Sequence, residues 1–286
     1  MLQLIFFFYF CDMIRVNVKQ KRAQIWLYFG LIAVVVLAMI SLKHCRSFTP
    51  AGQPRHSGGD TIDVAIEYSP VSFYSYADTM GGFNYDVIRL IGARHDRKFK
   101  FHPVASLSVA LQLLRDGVYD IVAAQFPVTA QNRNNYLFTE PLYIDRQVLV
   151  QRRDSAGKLT VKSQLDLAGR TVRVVAGSPM KERILGLSRE IGDTIHVVED
   201  TEYGPEQVFL LVATGYDSLA VINEAVARSM AAKYPQIDVT TAVSFSQFQA
   251  LTLAKSNTAL CDSLNVWIKQ LKASPEYKAL SRRYLK

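Results

Sequence analysis

Cysteine is scarce in this 286-residue chain, and the three present, Cys11, Cys45 and Cys261, lie far apart. No pair has the CxxC spacing of a metal knuckle, and three thiols cannot build a disulfide framework. The five histidines (His44, His56, His95, His102 and His196) form neither an HxH nor an HxxxH pair, so no metal site is expected. Walker, GxGxxG and GxSxG patterns are missing, which removes the common phosphate-cradle, dinucleotide and serine-nucleophile readings. No cofactor is expected. A basic footprint for nucleic acid is also missing. The net charge is +8, but residues 1–60 hold seven Lys/Arg against two Asp, leaving 26 basic and 23 acidic residues for the other 226.

One long apolar run is present. Residues 25–42 (IWLYFGLIAVVVLAMISL) carry no charge, long enough at 1.5 Å per residue to cross most of a hydrocarbon core. Trp26 and Tyr28 suit the membrane interface, and Arg15, Lys19, Lys21 and Arg22 on the near side favour an N-in, C-out orientation. The expectation is a cytoplasmic N-terminus over 1–24, a transmembrane helix over 25–42 and a flexible Pro/Gly/Ser-rich tether over 43–60. Met13 opens a more conventional leader, so translation from Met13 is expected. Lys43 and His44 before Cys45 argue against a lipoprotein cleavage box, and an uncleaved anchor is the reading adopted.

From residue 61 the pattern becomes that of a globular α/β protein. Alternation marks a strand over 61–67. Phe83, Val87, Leu90 and Ile91 share a helical face over about 83–95. A strand over 98–104, a helix starting after Ser106 and closing at Gly117, and the buried strand from Ile121 to Ala124 complete a β-α-β-α-β order, which predicts a largely parallel sheet. That last strand empties into the polar loop Gln125–Arg133. A second unit of the same kind follows from Leu165, with strands over 171–176, 195–198 and 218–223 and helices opening at Gly177-Ser178-Pro179, Pro205 and Glu224. Strands over 237–243 and 248–254 and two amphipathic helices, 257–272 and 275–285, end the chain. Gly-Tyr-Asp precedes a strand twice, at Gly117–Asp120 and Gly215–Asp217.

The series Gly82-Phe83-Asn84-Tyr85-Asp86, Leu114–Ile121, Phe138-Thr139-Glu140-Pro141-Leu142-Tyr143, Asp166–Val172 and Ala176-Gly177-Ser178 resembles the family 3 extracellular solute-binding proteins. The resemblance implies a bilobed type II periplasmic-binding fold. Lobe 1 would span 61–148 and 250–286, lobe 2 would span 149–249 and be inserted in it, and hinge strands would lie at 147–151 and 248–254. The ligand would enter the interlobe cleft, with Tyr68, Phe73, Phe126, Thr129, Asn132, Arg133, Gly177, Ser178 and Asn223 as candidate binding residues. Tyr68 and Phe73 either stack on ligand or pack beneath their loop; Thr129 and Asn223 either bind ligand or cap helices.

The chain departs from the amino-acid-binding members in two places. Their carboxylate-clamping Arg falls at Asn132, with Arg133 one place late, and their ammonium-binding Asp falls at Asn223. Both departures disfavour a free zwitterionic amino acid. With Pro127 in the loop, the chain resembles more closely the non-catalytic regulatory domain of membrane-bound lytic murein transglycosylase F. The reading is a non-enzymatic, membrane-anchored binding protein with its globular part in the periplasm of a bacterial inner membrane. It would bind a small polar ligand, a cell-wall fragment for example, for an ABC-type permease or for sensing. The alternative is a regulatory module acting with a separate peptidoglycan-processing enzyme. A third reading, an enzyme of the cyclohexadienyl dehydratase kind, would need an acid in the cleft, for which Glu67 and Glu140 are the nominees.

Overall fold

The computed structural model describes residues 61–77 and 79–285, together with Leu31, Ile32, Val34 and Met39, which are helical. The expected transmembrane helix and tether otherwise lie outside the described residues, as does the Met13 start. Among the described residues no helix is long and apolar enough to cross a membrane.

The strands in chain order are β1 (Thr61–Glu67), β2 (Tyr74–Tyr76), β3 (Thr79–Gly81), β4 (Lys98–Val104), β5 (Ile121–Ala123), β6 (Tyr136–Phe138), β7 (Tyr143–Asp145), β8 (Gln147–Arg152), β9 (Thr171–Val175), β10 (His196–Asp200), β11 (Leu219–Asn223), β12 (Ile237–Asp238), β13 (Gln247–Gln249) and β14 (Thr252–Ala254). The helices are α1 (Phe83–His95), α2 (Leu107–Arg115), α3 (Ala130–Asn135), α4 (Met180–Ile191), α5 (Pro205–Thr214), α6 (Glu224–Ala231), α7 (Thr258–Lys272) and α8 (Pro275–Tyr284).

Two five-stranded sheets organise these elements. The first has the order β4-β1-β5-β14-β6, the second β10-β9-β11-β8-β12. β1 lies parallel between β4 and β5, which is why its Val64, Ala65 and Ile66 are fully buried. β9 lies parallel between β10 and β11, while β8 runs antiparallel to β11. The body around each sheet is called a lobe below.

Period-2 geometry explains how the second sheet is covered on both faces. Val148 and Val150 of β8, Ala220 and Ile222 of β11 and Val175 of β9 join α5 and α6 in one cluster, with Val208, Phe209 and Val226. Their neighbours Leu149, Leu219, Val221, Val172 and Val174 face the other way, onto Met180, Ile184 and Leu187 of α4.

Two antiparallel ribbon strands, β7 and β13, cross between the sheets, with Ile144 opposite Phe248 and Tyr143 opposite Gln249. The segment expected as a hinge at 147–151 belongs to the second sheet. Gln147–Arg152 is an interior strand of the second sheet, and the segment 248–254 is broken into β13 and β14. The expected strand over 237–243 shrinks to two residues. The two Gly-Tyr-Asp steps play matching parts. Asp120 accepts the Asp63 backbone N–H at 2.9 Å, and Asp217 accepts from Arg173, so each aspartate ties its strand to the adjacent one. Cys261 is buried in α7, its Sγ 3.7 Å from the Phe138 carbonyl.

Candidate functional site

In an open α/β sheet, ligand groups gather beyond the carboxyl ends of the strands. In lobe 1 that edge is formed by Glu67 at the end of β1 and by Gln125 and Phe126 beyond β5. Phe126 is buried, its ring 5.6 Å from that of Tyr136 and 5.9 Å from that of Phe138. The chain then bridges to Gln249 at Pro127 and enters α3. Thr129 is the N-cap: its Oγ1 accepts the Asn132 backbone N–H at 3.1 Å. Asn132 turns its side-chain amide back to the Pro127 carbonyl at 2.9 Å, which closes the loop on itself. Arg133 is exposed.

In lobe 2 the corresponding edge is Gly177-Ser178 beyond β9. Ser178 is buried, and its Oγ donates to the Val175 carbonyl at 2.5 Å. Gly177 has φ +76°, and a Cβ there would lie 3.1 Å from that of Ser108 in lobe 1. The lobes also meet where Ser106 Oγ donates to the Thr201 carbonyl at 3.1 Å.

Four of the nine candidates, Phe126, Asn132, Gly177 and Ser178, line one pocket of about 360 Å³ between the lobes. This size is sufficient for a small molecule. Arg115 of α2 and Lys181, Glu182 and Glu199 of lobe 2 line it too, with Lys181 Nζ 2.5 Å from Glu199 Oε2. Sequence reasoning missed these charged residues, because they come from helix faces and a strand end that meet only across the cleft.

The other five candidates lie elsewhere. Thr129 and Arg133 sit in the α3 segment without lining the pocket. Phe73 packs in the lobe 1 core, 5.4 Å from the Tyr85 ring, the packing alternative of the two considered. Tyr68 is 42% exposed, edge-on to Phe73 at 6.3 Å. Asn223 is buried at the start of α6 without capping it, and its Nδ2 instead donates to Asp145 Oδ2 at 3.3 Å. Burial lifts the Asp145 carboxyl to about 6, opposed by the Arg146 N–H, the Asn223 amide and the Ala225 N–H. A carboxylate thus adjoins the position where the amino-acid binders' acid was expected and Asn223 stands, supplied by a different strand.

A second polar group lies under the carboxyl edge of lobe 1. Burial pushes the Glu67 carboxyl to about 7, against the lowering effect of the Gln125 backbone and the Ser69 hydroxyl. Its Oε2 and both side-chain heteroatoms of Gln249 are buried without hydrogen-bond partners, and the Gln125 amide and Tyr143 hydroxyl lie against each other beside them. Such atoms are rare in folded proteins. Glu140 is unlike Glu67. It pairs with Lys269 at 3.2 Å, with over a third of its side chain exposed. Among the described residues no group of three His, Cys, Asp or Glu converges as metal ligands would.

Two α/β lobes, a paired-strand crossover and a polar pocket where the carboxyl edges of both sheets face each other define a solute-binding protein of the periplasmic type. Residues 61–286 match the Bacterial extracellular solute-binding proteins, family 3, and the chain belongs to that family. It is 27% identical over 223 residues to a membrane-bound lytic murein transglycosylase F from Aeromonas hydrophila, an alignment covering 77% of this chain and 42% of that one. It is 25% identical over 226 residues to the amino-acid-binding protein AabA of Dichelobacter nodosus, covering 76% of this chain and 84% of that protein. The chain thus spans less than half the length of the Aeromonas transglycosylase. An ancestral arginine-binding protein bound to arginine has the same fold, with a TM-score of 0.69 at 20% identity over 80% of this chain and 99% of that one.

Proposed function

We propose that this chain is a membrane-anchored, extracytoplasmic, non-enzymatic solute-binding protein that holds a small polar ligand between its lobes and closes on it by hinge motion. The observation that carries this reading is the interlobe pocket formed jointly by Phe126 and Asn132 of lobe 1 and Gly177 and Ser178 of lobe 2. Ligand bound there stabilises the closed arrangement because it touches both bodies at once. The anchor is the apolar run at 25–42, which places the domain on the periplasmic side of a bacterial inner membrane. Lobe 1 comprises 61–146 and 250–286, and lobe 2 comprises 147–249, the first boundary moved from 148/149 because all of β8 belongs to the second sheet.

Thermal-shift and calorimetric titration of the full chain in detergent against free amino acids and muropeptides tests the reading. A saturable ligand whose affinity drops in Phe126→Ala and Ser178→Ala supports it. Binding that both variants leave intact would place the ligand elsewhere and defeat the assignment. The expectation against a free amino acid rests on Asn132 and Asn223. Asp145 beside Asn223 does not line the pocket, and its oxygens are held by Arg146, Ala225 and Asn223.

The second reading, a regulatory module acting with a separate peptidoglycan-processing enzyme, is favoured by the alignment to the transglycosylase over nearly the whole globular part. It predicts preference for muropeptides over amino acids in the same titration. Release of product from murein or from a prephenate-like substrate by the chain alone would overturn the non-enzymatic reading.

A further inference from the structure

Another cavity lies away from the cleft. It encloses about 570 Å³ at the opposite end of lobe 2, where β8 ends and where β9 and β11 begin. The five residues of β9 separate it from Gly177, a distance of about 15 Å. Three arginines, Arg152, Arg153 and Arg170, and two aspartates, Asp154 and Asp217, line it.

The charges there are unequally occupied. Asp217 accepts the Arg173 guanidinium. Asp154 Oδ1 accepts the backbone N–H groups of Ala156 at 2.9 Å and Lys158 at 2.7 Å. Arg153 is paired with Asp238 at 2.6 Å. Among the described residues Arg152 and Arg170 form no ion pair; both are exposed and line the cavity, while the carboxylates near them are engaged, Asp217 by Arg173 and Asp154 by backbone N–H groups. The backbone makes room for one of them. Gly215, the residue after α5, has φ +84°, and a Cβ there would collide with the Arg152 guanidinium. The hydroxyls of Thr160, Thr171 and Ser218 line the same space.

We infer that this cavity is a second binding site, for a small molecule carrying a multiply charged oxyanion such as a phosphate or carboxylate group. The planar guanidinium fork matches both anions in bidentate geometry, and two forks around one cavity select for more than one negative charge. The site stands apart from the interlobe pocket and needs no lobe closure.

Calorimetric titration of the full chain in neutral detergent, at low ionic strength and without phosphate buffer, tests this with inorganic pyrophosphate and with citrate. The two probes distinguish a phosphate from a carboxylate ligand. One saturable equivalent is expected with at least one of them. Arg152→Ala and Arg170→Ala should each weaken it by about tenfold or more, the loss of one charge-assisted contact. Arg152→Lys should also weaken binding, because it keeps the charge but loses the fork, and Gly215→Ala should do so by displacing Arg152. Ser178→Ala, a change in the cleft, should leave this binding intact. Failure of both anions to saturate, or wild-type affinity in the Arg152→Ala/Arg170→Ala double variant, overturns the inference. So does affinity lost equally in Arg133→Ala, since that would reflect general charge. Binding to phosphatidylglycerol vesicles with no response to either soluble anion also overturns it.

Discussion

Glu67 makes the sharpest physical prediction. Its carboxyl is buried at the end of β1, one oxygen has no partner, and its folded-state pKa is about 7 against an ordinary value of 4.5. The unfolded chain gives up this proton near pH 4.5, while the folded chain holds it to about 7. Between those values the native state binds more protons than the unfolded one, so stability falls as pH rises. The raised pKa therefore costs nothing below about pH 4.5, and its full cost is reached above about pH 7. The shift corresponds to a loss of about 3 kcal/mol. Glu67→Gln removes the titration while keeping the shape, with Gln125 next to it. We predict that E67Q matches the wild type near pH 5 and exceeds it by up to about 3 kcal/mol at pH 8, or roughly 6–12 °C in melting temperature for a domain of this size. Urea denaturation at pH 5, 6, 7 and 8 measures the difference. Asp145 also has a raised carboxyl pKa, at about 6, and bends the wild-type profile. It is common to both proteins and cancels in the comparison. A difference that stays flat from pH 5 to 8 would falsify the assignment of Glu67 as a buried, desolvated acid.

Three further outcomes follow from the geometry. Arg173→Ala strands Asp200 and Asp217, which the guanidinium joins across the second sheet, and should lower unfolding free energy by about 2–4 kcal/mol by urea denaturation; a change below about 0.5 kcal/mol would show that the pair is solvent-screened. Gly177→Val forces a branched side chain into a residue with φ +76° facing Ser108, so the lobes should meet less closely; an increased radius of gyration in small-angle scattering, with weaker cleft binding, is expected, and an unchanged radius contradicts the contact. Asn223→Asp restores the family's acidic type but sets two carboxyls about a hydrogen bond apart. It should destabilise the protein above about pH 6, where Asp145 ionises, and have a smaller effect at pH 5; equal destabilisation at both pH values in thermal melts would mean the two groups do not interact.

Local chemistry made much of the fold legible. α1 occupies 83–95 as its apolar spacing requires, α5 starts at Pro205 and stops at Gly215, and β1, β4 and β9 lie where alternation and apolar runs put them. Each depends on interactions within a few residues, so the order of residues suffices. β2, β3, β6, β7 and α3 were not legible. They are three to six residues long, too short to show a period, and they exist because a partner strand or a cap completes them. The crossover is a clear case: Gln147–Gln151 reads as a hinge strand in sequence, yet β11 and β12 pair with it on both sides and draw it into the second sheet.

The site divides along the same line. Residue order placed Phe126 in the loop after a strand and Gly177-Ser178 at a helix start, and the family resemblance added them and Asn132 to the candidate site. Only the tertiary structure decided that these four share a pocket with Arg115, Lys181 and Glu199, that Phe73 belongs to the core, and that Asp145 stands beside Asn223. Burial of Glu67 and exposure of Arg152 and Arg170 to a common cavity are likewise decided by folding. The reason is physical. Desolvation and charge pairing depend on what lies within a few ångströms in space, and here those neighbours are often some eighty residues away along the chain, as Asp145 and Asn223 are.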